Sequence, residues 1–158
     1  MNIRPANPED FEHIKAVARE TWHDTYDELE ADLIDRTVDD WYTTDSMPLE
    51  APGTVVLVVE LDGEIVGFTH AVAQGDTADI LRMYVAPEAQ GAGVGTHLHE
   101  YLIERLEMYD VDRVRSFDFA FNDVSRRFYE GLGFERTDTG EVTIEGEQYD
   151  EAVYTLEL

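Results

Sequence analysis

A chain of 158 residues with 43% hydrophobic content, two Trp, eight Tyr and seven Phe has enough bulk for one domain around one substantial core. The absence of cysteine excludes disulfides, thiolate metal sites and a Cys nucleophile, and no apolar run is long enough to cross a bilayer. The 36 acidic residues against 11 basic ones, with Lys15 the single lysine, give a formal charge of −25 and leave no basic stripe, so nucleic acid is not an expected partner.

Met1-Asn2-Ile3-Arg4 opens directly into structure rather than a signal peptide, so the cytoplasm is the expected location and no membrane partner is expected. Ile3-Arg4-Pro5 reads as a short first strand. Asn7-Pro8-Glu9-Asp10 is a helix start, and Phe11, Ile14, Ala18 and Trp22 then recur at helical spacing. A second helical stretch carries Tyr26, Leu29, Leu33, Ile34, Val38, Trp41 and Tyr42. Ser46 to Gly53 is a loop. Thr54 to Val59 is apolar and β-branched throughout, as in a strand buried on both faces. Asp62-Gly63 turns the chain into a strand from Ile65 to Ala73. Gln74-Gly75-Asp76 turns it again into Ala78 to Val85. After a Gly-rich loop, Gly93 to about Met108 reads as a helix and Val111 to Phe121 as a strand. Asn122 to Glu130 reads as a short helix closed by Gly131-Leu132-Gly133. Phe134 to Asp138, Glu141 to Ile144 and Ala152 to Leu158 complete a mixed sheet in one α/β domain spanning residues 1–158.

The stretch Gln90-Gly91-Ala92-Gly93-Val94-Gly95 lies between a strand and a helix. Unpaired N–H groups and the helix dipole make such a turn an anion site, and glycine lets a phosphate approach the backbone. The loop lacks the Lys-Ser/Thr ending of a nucleotide-binding P-loop and the spacing of a dinucleotide fold. By itself it is equally readable as a tight turn with no ligand.

Its setting is more specific. Met83-Tyr84-Val85-Ala86-Pro87, followed by Gln90-Gly91-Ala92-Gly93-Val94-Gly95 and a helix, resembles the acetyl-CoA signature of the GNAT N-acetyltransferase superfamily. Asn122, Ser125, Phe128-Tyr129 and Gly131-Leu132-Gly133-Phe134 resemble that family's next motif, in the right order. The resemblance implies a mixed, mostly antiparallel central sheet of six to seven strands flanked by about four helices. It implies acetyl-CoA as co-substrate, a primary amine acceptor attacking the thioester directly, and no metal. Homodimers are frequent among proteins of this resemblance.

It also implies roles. Amides from Gly91, Ala92, Gly93, Val94, Gly95 and Thr96 would cradle the CoA pyrophosphate. Met83, Tyr84 and Val85 would offer strand backbone to the pantetheine arm and the acetyl carbonyl, and Asn122 would bond the pantetheine chain. Tyr129 would protonate the leaving thiolate. Asp79, read as sharing a face with Leu81, Met83 and Val85, matches a strand glutamate that serves as base in some members. Phe117 occupies the position of a base on the next strand, and Asp118 is expected to point the other way. The acceptor site would lie near His23, Asp24 and Tyr26, with Trp22, Trp41 and Tyr42 as walls. Many members carry cations on the loop. This one has none, which leaves Arg126 and Arg127 as sources of positive charge.

Bland readings accompany these roles: Asn122 as a helix cap, Tyr129 as packing beside Phe128 and Phe134, Asp79 as surface charge and His70 as a structural histidine. His97 and His99, two apart on a helix, do not share a face for a metal. A non-catalytic acyl-CoA-binding or regulatory module would keep the loop while dispensing with Tyr129, and an unrelated nucleotide-phosphate binder would take ATP or NAD instead. The acid excess, spread between apolar segments, resembles that of cytoplasmic proteins of salt-accumulating halophiles.

Overall fold

The computed structural model describes residues 1–26, 29–43 and 45–158. In chain order these form β1 (Asn2–Pro5), α1 (Phe11–Thr25), α2 (Ala31–Trp41), β2 (Thr54–Leu61), β3 (Glu64–Gln74) and β4 (Thr77–Val85). There follow α3 (Val94–Glu107), β5 (Arg113–Phe119), α4 (Asp123–Gly131), β6 (Glu135–Ile144) and β7 (Glu147–Glu157). The strands make one open sheet in the order β1-β2-β3-β4-β5-β7-β6. All neighbours are antiparallel except β4 and β5, which α3 connects in parallel. This is the expected mixed α/β architecture.

Both faces of the sheet are covered. Val55, Leu57 and Val59 of β2 pack into a core with Leu98, Leu102 and Leu106 of α3. Val56 and Val58 face the other core, with Ile14, Ala18 and Trp22 of α1 and Ile34 and Val38 of α2. An apolar strand without alternation therefore serves two cores, each fully buried Val or Leu contributing about 2 kcal/mol.

Two boundaries differ from expectation. The second helix begins at Ala31, while Tyr26 follows the end of α1 with φ −112° and ψ 57°. Asp27 and Glu28, within the stretch expected to be helical, lie outside the described residues. The three terminal segments are instead two long strands, β6 and β7. They are joined by Glu145-Gly146, whose φ values of 49° and 87° suit a two-residue hairpin turn. β6 is an edge strand and mostly exposed, so its polar sequence lacks the apolar alternation that marks a strand.

The functional geometry comes from two irregularities in β4. It pairs with β5 only from Thr77↔Arg113 to Ile80↔Ser116. Beyond that register β4 stays with β3 and β5 with β7, so the two strands diverge around an open wedge. On its other edge, His70↔Arg82 is followed by Ala71↔Ile80, which leaves Leu81 as an extra residue in a β-bulge. A bulge reverses the alternation of side chains. Ile80, Met83 and Val85 pack on the α3 side, while Tyr84 packs on the α1–α2 side.

A formal charge of −25 on this fold repels itself at low ionic strength. The melting temperature is expected to rise by about 5 °C or more between dilute buffer and molar KCl. A scan that stays flat would show that the surface acids lie too far apart to matter.

Candidate active site

The wedge opens into a cavity of about 370 Å³. One wall is the end of β4, Met83, Tyr84 and Val85. The floor is the loop and first turn of α3, with Gln90, Gly91, Gly93, Val94, Gly95 and Thr96. The far wall is Asn122, Phe128 and Tyr129 at the start and along α4. Thirteen positions were expected here across cofactor and catalytic roles on this side; Ala92 and Arg126 are the two that do not reach the wall. Arg126 is exposed and pairs with Asp123 at 3.4 Å. Thr21 and Thr25 of α1, which sequence reading did not single out, also line the cavity.

The conformation of the loop is set by its glycines and by the cap of α3. Gly91 and Gly93 have φ of 84° and 79°, a conformation that a residue with a Cβ adopts at a cost of roughly 1 kcal/mol or more. Gly93 caps α3, and His97 N–H is the first to bond back, to the Gly93 carbonyl at 3.1 Å. The amides before it have no partner within the helix and sit at the positive end of its dipole. Gln90 Nε2 donates to the Val85 carbonyl at 3.0 Å and fastens the loop to the strand end. A Cβ on Gly95 would lie 3.1 Å from Phe128 Cε1, so α3 and α4 approach here because no side chain intervenes.

Asn122 is the N-cap of α4: its side chain accepts from Ser125 N–H at 3.0 Å. Its amide also donates to the Tyr26 hydroxyl at 3.0 Å and to Asp118 Oδ2 at 3.3 Å. Asp118, which alternation would turn away from Phe117, borders the same cavity as Phe117 and sits in a hydrogen-bonded hub. It accepts from Tyr26 Oη at 2.7 Å, Phe119 N–H at 2.8 Å and the Ser125 hydroxyl. Burial raises the Asp118 carboxyl above its ordinary range, against the opposing pull of Ser125 and the other donors. The same burial, and the neighbouring carboxylate, raise the Tyr26 phenol.

Tyr129 is 3% exposed and stacks on Tyr154, with ring centroids 5.6 Å apart, while bordering the cavity. Packing and a place on the cavity wall thus coincide at this residue. Burial, then Asp118, push its phenol above the usual range, and Ser116 beside it works the other way. The Ser116 and Tyr154 hydroxyls are buried with no hydrogen-bond partner among the described residues.

A second cavity, about 280 Å³, lies on the α1–α2 side of the wedge and includes Trp22, Trp41, Tyr84, Phe117 and Phe119 in its walls. Asp79 belongs here, not with Met83 and Val85 as expected. The Leu81 bulge shifts the strand by one residue and so places Asp79 on the other face. Both of its oxygens accept from Arg115, at 2.8 and 2.9 Å. Glu151 of β7 reaches the same cavity, and burial and Asp118 raise its carboxyl. Sequence reading passed over Glu151 because the last strand was expected to begin at Ala152. Nothing local distinguishes it from the other acids. Of the residues expected to wall an acceptor site, Trp22 and Trp41 do. Tyr26 and Tyr42 are core residues, and His23 pairs with exposed Asp35 at 2.9 Å. No cluster of three or more His, Asp or Glu with metal-binding placement occurs among the described residues.

His70 is structural. It is 1% exposed and its Nδ1 accepts from Arg82 at 2.8 Å; burial and that guanidinium lower its pKa to about 4. Because the folded value lies below the unfolded one, the unfolded chain takes up the extra proton. The contribution is intact above about pH 6.5 and is lost as pH falls toward the folded value. By pH 5 the loss reaches about 2 kcal/mol. Relative to His70→Gln, the wild type should lose that much more stability between pH 7 and pH 5. Parallel pH curves for the two proteins would rule out a buried neutral imidazole.

Over 115 residues, or 69% of this chain and 33% of the relative, the sequence is 33% identical to the mycothiol acetyltransferase of Paenarthrobacter aurescens (strain TC1). The chain spans about a third of the length of the curated relatives it matches. Its fold is similar to that of the PaiA N-acetyltransferase of Thermoplasma acidophilum, solved in complex with coenzyme A. There the TM-score is 0.86 at 21% identity, covering 99% of this chain and 98% of that one. A ribosomal-protein-alanine N-acetyltransferase of Brucella melitensis gives a TM-score of 0.69 at 23% identity, with both chains fully covered. A model of the acetyltransferase (GNAT) family matches residues 12–134, more than half of the sequence, and the chain belongs to that family.

Proposed function

We propose that the protein transfers an acetyl group from acetyl-CoA to the nitrogen of a primary amine. The carrying observation is the divergence of β4 from β5 after Ile80 and Ser116, which opens the strand end into a cavity running from the glycine loop to Tyr129. A pyrophosphate suits the unpaired amides at the Gly93 cap. The pantetheine arm, itself an amide chain, suits the open edge at Met83 and Val85, with Asn122 beside it. Arg126, one turn along α4, adds positive charge at a distance, screened by salt.

The amine nitrogen would attack the acetyl carbonyl as the carbon–sulfur bond breaks. A backbone N–H near Val85 would polarise the carbonyl. Tyr129, its phenol protonated at neutral pH, would give a proton to the departing thiolate. The proton lost by the nitrogen would go to a carboxylate in the second cavity. Asp79 is the candidate proposed from sequence, and it would have to release one of its two bonds with Arg115 to accept. If Asp79 is the base, Asp79→Asn lowers kcat by about 100-fold with acetyl-CoA affinity held; an unchanged kcat would reduce it to an ion-pair partner.

Calorimetric titration with CoA, ATP and NAD, followed by thiol release from acetyl-CoA over a panel of amines, tests the reading. Binding of CoA alone with amine-dependent thiol release is expected. CoA binding without release under any amine would favour an acyl-CoA-binding module, and ATP or NAD binding without CoA binding would overturn the assignment.

A further inference from the structure

The second cavity constrains the acceptor. Its walls include five aromatic rings, Trp22, Trp41, Tyr84, Phe117 and Phe119, and Tyr84 borders the acetyl-CoA side as well. An acceptor lying in it would therefore point toward the strand end where the two cavities meet. At about 280 Å³ it has room for a small molecule, of the order of ten non-hydrogen atoms.

Three carboxylates reach this cavity, and their states differ. Asp79 has both oxygens on Arg115. Asp118 is occupied by Tyr26, Phe119 N–H, Asn122 and Ser125. Glu151 forms no ion pair among the described residues. It is partly buried, on the strand next to β5, and so is an anion awaiting a cation. Positive charge is spoken for. Arg115 is taken by Asp79 and lies over Phe117 at 5.3 Å. Behind the Trp41 wall, Arg82 donates to His70 and to the Trp41 carbonyl and lies over the Tyr42 ring.

Aromatic walls with one uncommitted carboxylate attract an ammonium group through both ring quadrupoles and charge. The same walls offer a carboxylate nothing: it would be desolvated facing Glu151, and no guanidinium among the described residues lines the cavity to meet it. We propose that this cavity is the acceptor subsite and takes a small primary amine or diamine bearing no carboxylate, its ammonium held between the aromatic walls and Glu151. This rests on the acetyl-transfer reading and narrows it to decarboxylated amines over amino acids.

Matched pairs that differ by one carboxylate test it: cadaverine against lysine, agmatine against arginine, tyramine against tyrosine. Thiol release from acetyl-CoA should favour the decarboxylated member by about 100-fold or more in kcat/KM. Glu151→Gln should cut that preference below about 10-fold, mainly through KM, with the melting temperature and CoA affinity unchanged. Amino acids turned over as well as their amines, or a preference untouched in Glu151→Gln, would overturn the proposal while leaving acetyl transfer intact. If no compound is acetylated, the acetyl-transfer reading fails. Calorimetric binding of the same pairs to CoA-saturated protein then decides the cavity: heat from the amines and not the amino acids upholds its selectivity, and any other pattern overturns it.

Discussion

Tyr129→Phe should lower kcat by about 100-fold or more while changing acetyl-CoA affinity less than about threefold. The substitution removes one oxygen and keeps the ring that stacks on Tyr154 and meets Phe128 and Phe134 edge-on. Stability should therefore hold, and the variant isolates the hydroxyl. A thiolate leaving from a buried site needs a proton at once, because the surroundings stabilise charge poorly. The phenol suits that task since burial keeps it protonated throughout the neutral range. The upward shift also means that ionisation of Tyr129 adds no descending limb to the kcat profile below about pH 10. Equal turnover in wild type and variant would move the general acid elsewhere.

Asp118→Ala should destabilise the protein by about 3–5 kcal/mol, a drop of roughly 10 °C in melting temperature. The carboxylate gathers donors from three parts of the chain: Tyr26 after α1, Phe119 N–H on β5, and Asn122 and Ser125 at the start of α4. Alanine would leave these polar groups unpaired where water reaches poorly, and the cap of α4 would lose its anchor. Asp118→Asn should cost less, because an acceptor oxygen remains. The pH dependence carries a further sign. A carboxyl whose folded pKa is raised stabilises below its unfolded value and loses that contribution as pH rises through the folded one, opposite to His70. A loss under about 1 kcal/mol for Asp118→Ala would mean that the wedge is held by packing alone.

Much of the site is legible in the chain because its chemistry is local. A strand end, a glycine turn and a helix start are consecutive in sequence, and the unpaired amides proposed to meet a phosphate follow from helix geometry alone. Asn122 is likewise legible as a cap, since capping bonds span three residues. The errors arise where one unit of register or one distant partner decides. Alternation predicted that Asp79 shares a face with Met83, and one extra residue at Leu81, recorded only in the pairing with β3, reversed it. Asp118 borders the same cavity as Phe117 where alternation alone would turn it away, and its hub requires Tyr26 from 92 positions away.

The sequence by itself determined the two-sided core, the order of elements, the glycine cradle and the position of Tyr129, because periodicity, turn chemistry and capping act over a few residues. Tertiary structure alone decided where β4 leaves β5, which face Asp79 takes, and that Glu151 reaches the aromatic cavity without an ion pair among the described residues. Those outcomes depend on strand register and on charges brought together from distant parts of the chain, and among 36 acids no local pattern marks the one that reaches the aromatic cavity without a hydrogen-bonded partner there.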